Sequence, residues 1–183
     1  MLLSCFYLVL GIFAWTFIEY LIHGPMAHGL GGFAGKMHLH HHRHMEDIFT
    51  TPLVWVPIAL VLFLGQWALL GIQVAFPVTV GAVIGFLYYE YQHWRIHCRE
   101  PGSDYERTIR AHHLAHHARC PRYCFGVTSR MWDHVFGTFS PHYEEDCRRT
   151  ESIPVLTGPT NFARVYGLRW WWGKKPLNDD AER

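Results

Sequence analysis

The sequence predicts an all-α integral membrane protein with three membrane helices, or four, and a histidine-rich helical cap. Three observations carry this reading. Half of the 183 residues are hydrophobic and 17% are charged, against about 25% charged in an average soluble domain. The apolar residues gather into three runs long enough to cross a bilayer. Histidine, at 15 residues, nearly equals Lys and Arg together at 16. Lys+Arg balances Asp+Glu at 16 to 15, so there is no basic excess for nucleic acid, and the apolar content is too high for disorder.

The first run is Leu2 to Ile22, with Glu19 its only charged residue. About 20 residues rising ~1.5 Å each span the ~30 Å hydrocarbon layer. A signal peptide fits poorly: no basic segment precedes the run, and Tyr20-Leu21-Ile22-His23 is no small-residue cleavage site. The second run is Pro52 to Ile72, interrupted only by Gln66, and the third is Val74 to Tyr91, with Glu90 near its end. They nearly touch around Gly71-Ile72-Gln73, which predicts a tight hairpin, with Pro77 in the first turn of the third helix. No Lys or Arg precedes Lys36 or falls between Pro52 and Gln92. The positive-inside rule then puts residues 36–43 and the tail in the cytoplasm and the N-terminus outside. The whole chain, 1–183, reads as one domain: spans at 2–22, 52–72 and 74–91, and a cytoplasmic cap from 23–51 and 92–183. Trp170-Trp171-Trp172 is expected at the headgroup level, in what would be a bacterial inner membrane.

The five cysteines, Cys5, Cys98, Cys120, Cys124 and Cys147, are an odd count without a CxxC pair. Reduced, mostly buried thiols are expected rather than a disulfide framework.

Histidine is the chemical signal. His38-Leu39-His40-His41-His42 contains an HxxHH spacing, and His113-Leu114-Ala115-His116-His117 repeats it. Residues i, i+3 and i+4 share one face of a helix, so His38, His41 and His42 form one set and His113, His116 and His117 another. His40 and His44 lie about 200° and 240° from His38, away from that face. Two membrane runs also lead into histidines. Glu19-Tyr20 precedes His23 and His28, and Glu90-Tyr91 precedes His93 and His97. His93 and His97 are one helical turn apart; Gly24-Pro25 is expected to break the helix and let His28 swing inward. The layout is an approximate internal repeat offering ten imidazoles, enough for two metal ions with four or five nitrogens each. Neutral imidazole suits Fe, Zn, Cu and Ni. HExxH is absent, only one ExxH occurs (Glu90 to His93), and there is no Gly-rich dinucleotide loop or Cys cluster. An enzyme here would borrow its electrons. A metal-carrying membrane protein without turnover is the other class.

From about Phe17 to Phe139 the chain resembles the fatty acid hydroxylase and sterol desaturase superfamily, the histidine-box membrane di-iron oxygenases. The resemblance rests on Glu19-Tyr20 through His28, on His38 to His42 followed by Met45-Glu46-Asp47, and on His93, His97 and Pro101 at four-residue intervals. It continues with Ala111-His112-His113-Leu114-Ala115-His116-His117 and closes on Phe125-Gly126-Val127-Thr128 and Trp132-Asp133-His134-Val135-Phe136-Gly137-Thr138. Fatty acid 2-hydroxylases are the nearest branch; carotenoid and sterol hydroxylases or desaturases are the alternative.

The resemblance implies membrane helices capped by a cytosolic dimetal domain, and oxidation of a lipid carbon with O2 and two electrons. It implies His23, His28, His38, His41, His42, His93, His97, His113, His116 and His117 as ligands to two iron ions, with zinc as a substitute in purified protein. Glu19, Glu90 and Asp133 become candidates to orient ligand imidazoles. His40, His44, His112, His134 and His142 are surplus. No His-Pro-Gly-Gly of a cytochrome-b5-like domain occurs, so the donor, cytochrome b5-like or ferredoxin-like, is expected to be separate. The spans number three where the family usually has four, and His44 replaces a family proline.

Overall fold

The structure, a computed structural model, describes residues 2–166, so the Trp170–Trp172 expectation lies outside the described residues. The described chain is helical and contains no strand. In order come α1 (Leu2–Leu21), a π-helix (Ile22–Leu30), α2 (Gly32–Arg43), α3 (Pro52–Leu70), α4 (Ile72–Cys98), α5 (Asp104–Ala118), α6 (Met131–Phe136), α7 (Tyr143–Thr150) and α8 (Phe162–Val165). Among the described residues three helical stretches are long and apolar enough to cross a membrane: Leu2–Leu30, Pro52–Leu70 and Ile72–Cys98.

The principal packing is α1 against α4. Lipid tails are as apolar as leucine, so membrane helices associate through close packing, which small residues permit. Gly11 on α1 and Gly81 on α4 supply it reciprocally. A Cβ on Gly11 would overlap the Val78 carbonyl oxygen, and one on Gly81 would overlap that of Leu8. One turn deeper, Gly85 admits the Trp15 side chain, whose ring meets Phe86 edge-on with centroids 5.2 Å apart. α3 buries no residue at all and lies against α4 from outside.

The α3–α4 hairpin is tighter than the sequence suggests. Thr51 caps α3 through its side chain, Pro52 takes the first helical position, and Gly71 alone turns the chain. Its φ of 80° lies in the left-handed region that glycine adopts at little steric cost. Because α4 starts at Ile72, Pro77 falls in the second turn, not the first as expected. There it removes one bond, to the Gln73 carbonyl.

α4 runs well past Tyr91. Its 27 residues make a rod about 40 Å long, more than the ~30 Å of hydrocarbon. Its last turns, carrying His93 and His97, therefore stand at the base of the cap. Ser103 caps α5, its hydroxyl accepting from Glu106 N–H at 3.2 Å. Glu106 in turn accepts from Gly102 N–H at 2.6 Å and from Arg95 at 2.8 Å, tying α5 to α4. Asn161 clips the end of the described chain to the α2–α3 loop by exchanging two 2.9 Å hydrogen bonds with the Phe49 backbone.

Candidate metal centre

His23 and His28 stand five residues apart, a spacing that on an α-helix leaves side chains about 140° apart. The segment is wound differently. Ile22–Leu30 is a π-helix, ending with Gly31 N–H on Met26 O at 2.9 Å, and i→i+5 winding brings residues five apart to one side. The expected break at Gly24-Pro25 is thus corrected: the helix rewinds instead of breaking, with Pro25 inside it. Pro25 has no N–H for the Leu21 carbonyl, and the π register passes that carbonyl to the next residue along. Gly24 fits because the Phe125 ring lies 2.7 Å from where a Cβ would be.

The ten histidines implied by the resemblance are gathered into two groups of five. One nitrogen each from His23, His28, His38, His42 and His116 lie within 4.8 Å of one another, and likewise for His41, His93, His97, His113 and His117. The groups adjoin: the His42 and His117 rings stack with centroids 4.2 Å apart. Membership does not follow the sequence repeat. Each half contributes four histidines to its own group and sends the middle histidine of its HxxHH, His41 or His116, into the other. His40, by contrast, is exposed on Asp47 at 2.8 Å, and His44 is exposed 3.6 Å from Glu46. Neither His40 nor His44 belongs to a group.

The nitrogens fit a metal. In the first group the Nε2 of His116 lies 3.2, 3.3 and 3.1 Å from the Nε2 atoms of His28, His38 and His42. Its Nδ1 donates to the Tyr123 carbonyl at 2.8 Å, so in a neutral ring this Nε2 carries a lone pair. In the second group the Nε2 atoms of His97 and His117 lie 3.1 and 3.0 Å from that of His113, and His41 Nε2 and both nitrogens of His93 are buried without a hydrogen-bond partner. Buried polar atoms left unpaired in this number call for a missing partner, and a cation accepted by converging lone pairs is one.

Burial holds the cap histidines neutral, as ligation requires. It keeps His113, His116 and His117 well below the ordinary histidine range, with neighbouring imidazoles adding to the effect. His41 and His42 are both lowered to about 4, by burial first and then by His42 and His28 respectively.

A family model described as fatty acid hydroxylase matches residues 8–138, the stretch that carries all ten clustered histidines. The chain belongs to the fatty acid hydroxylase family. It is similar to the dihydroceramide fatty acyl 2-hydroxylase FAH1 of Arabidopsis thaliana, 31% identical over 71% of this chain and 59% of the relative. It is also similar to the ceramide very long chain fatty acid hydroxylase scs7 of Schizosaccharomyces pombe, 29% identical over 76% of this chain and 44% of the relative. Among solved structures, full-length scs7p, with only its hydroxylase domain visible, superposes with a TM-score of 0.66 at 29% identity. That match covers 76% of this chain and 57% of the other. The chain thus spans roughly half the length of these relatives.

In this member of the family, backbone carbonyls orient the imidazoles. His23 Nδ1 donates to Phe125 O at 2.5 Å and His41 Nδ1 to Asp47 O at 3.2 Å, beside the Tyr123 bond of His116. The expectation that Glu19 and Glu90 do this is corrected. Glu19 accepts from Val127 N–H, Thr128 N–H and the Thr128 hydroxyl; Glu90 accepts from the Thr50 backbone and hydroxyl. A carboxylate at a helix end holds loops better than rings here, because both loops present unpaired N–H groups to it. Asp133 likewise touches no clustered imidazole. It accepts from Phe125 N–H at 2.9 Å, Gly126 N–H at 2.8 Å, Thr138 and His112. Burial works to raise its carboxyl, but those hydrogen bonds and the His112 ring bring it below its ordinary value.

His112, surplus by its place in the sequence, is a positioning residue in the structure. It is fully buried, bonded to Asp133 at 3.1 Å and to the Tyr143 hydroxyl at 3.1 Å. It anchors Asp133, which holds the Phe125–Gly126 turn, whose carbonyl holds His23. Its position beside the HxxHH was the available signal.

Proposed function

We propose that this protein is a membrane-bound di-iron oxygenase that hydroxylates a lipid acyl chain, with carbon 2 as the position attacked. The observation that carries the reading is the pair of adjoining five-histidine groups in a chain of this family. We assign the ten clustered histidines as the ligands, with zinc as a redox-silent substitute. Two iron ions, when bound, supply the O2 activation and electron transfer that an unactivated C–H bond requires.

The chain's own residues do the rest. Neutral imidazoles present lone pairs toward one point per group, and the Phe125, Tyr123 and Asp47 carbonyls fix their tautomer and angle. Such outer partners raise ligand basicity and cannot be lost cheaply. Glu19 pins the Val127–Thr128 segment and Glu90 pins the loop at Thr50. The protein's remaining task is to position one carbon and exclude competing reactions. A centre at the inner ends of α1 and α4 lets an acyl chain reach it from the bilayer. The cap lies on the cytoplasmic side of a bacterial inner membrane, where a separate donor of the cytochrome b5 or ferredoxin kind delivers the electrons. The names of the similar proteins favour an acyl chain over a sterol or carotenoid.

Lipid mass spectrometry under isotopically labelled O2 tests this. A host expressing the chain with a donor should accumulate 2-hydroxyacyl lipids whose new oxygen carries the label, and a His41→Ala host should not. Unlabelled product, or none from wild type holding two irons per chain, would overturn the hydroxylase reading.

A further inference from the structure

Two cysteines sit beside the first histidine group without a role in the reading above. Cys120 closes the end of α5, its N–H on the Ala115 carbonyl at 2.9 Å, and a tight turn follows in which Tyr123 N–H returns to Cys120 O at 2.9 Å. That turn brings Cys124 back over Cys120, with the two sulfurs 4.0 Å apart. Both residues are buried, Cys124 completely. Cys124 is also the one non-glycine residue among those described with positive φ, at 61°, a conformation uncommon for an L side chain and often kept where function needs it. Its N–H is tethered to Thr138 O at 2.8 Å.

The neighbours of Cys124 give the pair its significance. Tyr123, just before it, offers the carbonyl that holds His116, and Phe125, just after it, offers the carbonyl that holds His23. Both histidines belong to the first group and neither to the second. A change in the Cys124 backbone therefore reaches two ligands of one group at once.

We propose that Cys120 and Cys124 form a redox modification site: a reversible intrachain disulfide that loosens the first histidine group and leaves the second intact. The oxidant is a peroxide, the species any O2-reducing centre releases when turnover uncouples. Cys120, the thiol with residual exposure, attacks as thiolate. The O–O bond breaks, one oxygen stays on sulfur as the sulfenic acid, and the other leaves as water. The Cys124 sulfur then attacks that sulfur, the S–S bond forms, and the hydroxyl leaves as a second water. Two thiols give up two electrons and two protons, and one hydrogen peroxide becomes two waters. A dithiol reductant reverses the step. A disulfide needs its sulfurs ~2.05 Å apart, about half their present separation, so Cys124 must move, and its flanking carbonyls with it. In a reducing compartment such a pair is a sensor rather than a staple.

Disulfide formation stands on the thiol geometry alone; its effect on metal rests on the ligand assignment proposed above, and the test separates the two. Detergent-purified full-length protein is treated with one equivalent of hydrogen peroxide, alkylated, and digested with trypsin, which cuts after Arg119, Arg122 and Arg130. The expected product is the Cys120–Arg122 peptide joined to the Tyr123–Arg130 peptide. It should persist in Cys147→Ser and vanish on dithiothreitol. Recovery of both peptides alkylated, or a link from either cysteine to Cys147, overturns the modification site. Chelator challenge of iron-loaded protein, followed by elemental analysis, tests the consequence. One of two ions should leave about 10–100-fold faster after oxidation, the range for lost outer-sphere partners, and the original rate should return on reduction. With the link formed, equal loss of both ions or of neither overturns the selective loosening while the disulfide stands.

Discussion

At the residue scale, position within the box decides what each histidine does. His40 and His41 are adjacent, yet one meets solvent and Asp47 while the other is buried among four further imidazoles. His41→Ala is expected to remove about half the bound metal and abolish turnover, whereas His40→Ala and His44→Ala retain both. Elemental analysis of the three variants side by side checks this, and equal loss in His40→Ala and His41→Ala would sink the helical reading of the box. The cap histidines also set the acid limit of the metal-free protein. An imidazole lowered to about 4 on folding, as His41 and His42 are, takes up a proton at ~6.5 once unfolded. Its stabilising effect is complete above pH ~6.5 and is lost as pH falls toward 4. Chemical denaturation of chelated protein between pH 7.5 and 4.5 should show the midpoint falling steadily below 6.5; a flat profile would contradict it. The ligand candidates were legible because HxxHH spacing is helix geometry written in sequence. The Phe125, Tyr123 and Asp47 carbonyls were not, since any residue type supplies a carbonyl and only the fold says which one is near.

At the element scale, the α1–α4 seam fixes how far apart the two halves of the centre stand. Gly81→Ala should force α1 away at Leu8 and cost about 1–3 kcal/mol, the usual range for overpacking. Gly65→Ala on α3, where nothing lies within 4 Å of the added carbon, should be neutral or slightly stabilising because alanine is the better helix former. Thermal unfolding in detergent distinguishes them, and equal shifts would argue against a tight seam. The helices themselves were readable from apolar run length. The π-helix was not, although its trace was present: histidines five apart around a proline do not fit an α-helix, and rewinding reconciles them as well as breaking does. α4 outran its apolar segment for a related reason. Packing against α1 and α5, rather than hydropathy, carries it on to Cys98.

At the scale of the whole molecule, the three apolar helices and the basic segments around the cap predict opposite sides for the α3–α4 turn and the chain's end. Reporter fusions at Gln73 and Arg183 should report opposite compartments; the same compartment for both would mean that one helix does not span. The exchange of His41 and His116 bears on how such a chain is made. As it emerges from the ribosome, the segment through α2 carries four members of the first group and lacks the fifth until α5 has been synthesised, inserted and folded back. The second group has its His41 early, from α2, but waits on the same α5 for His113 and His117. A chain cut short before α5 therefore completes neither five-nitrogen nest, and both close on the same late helix.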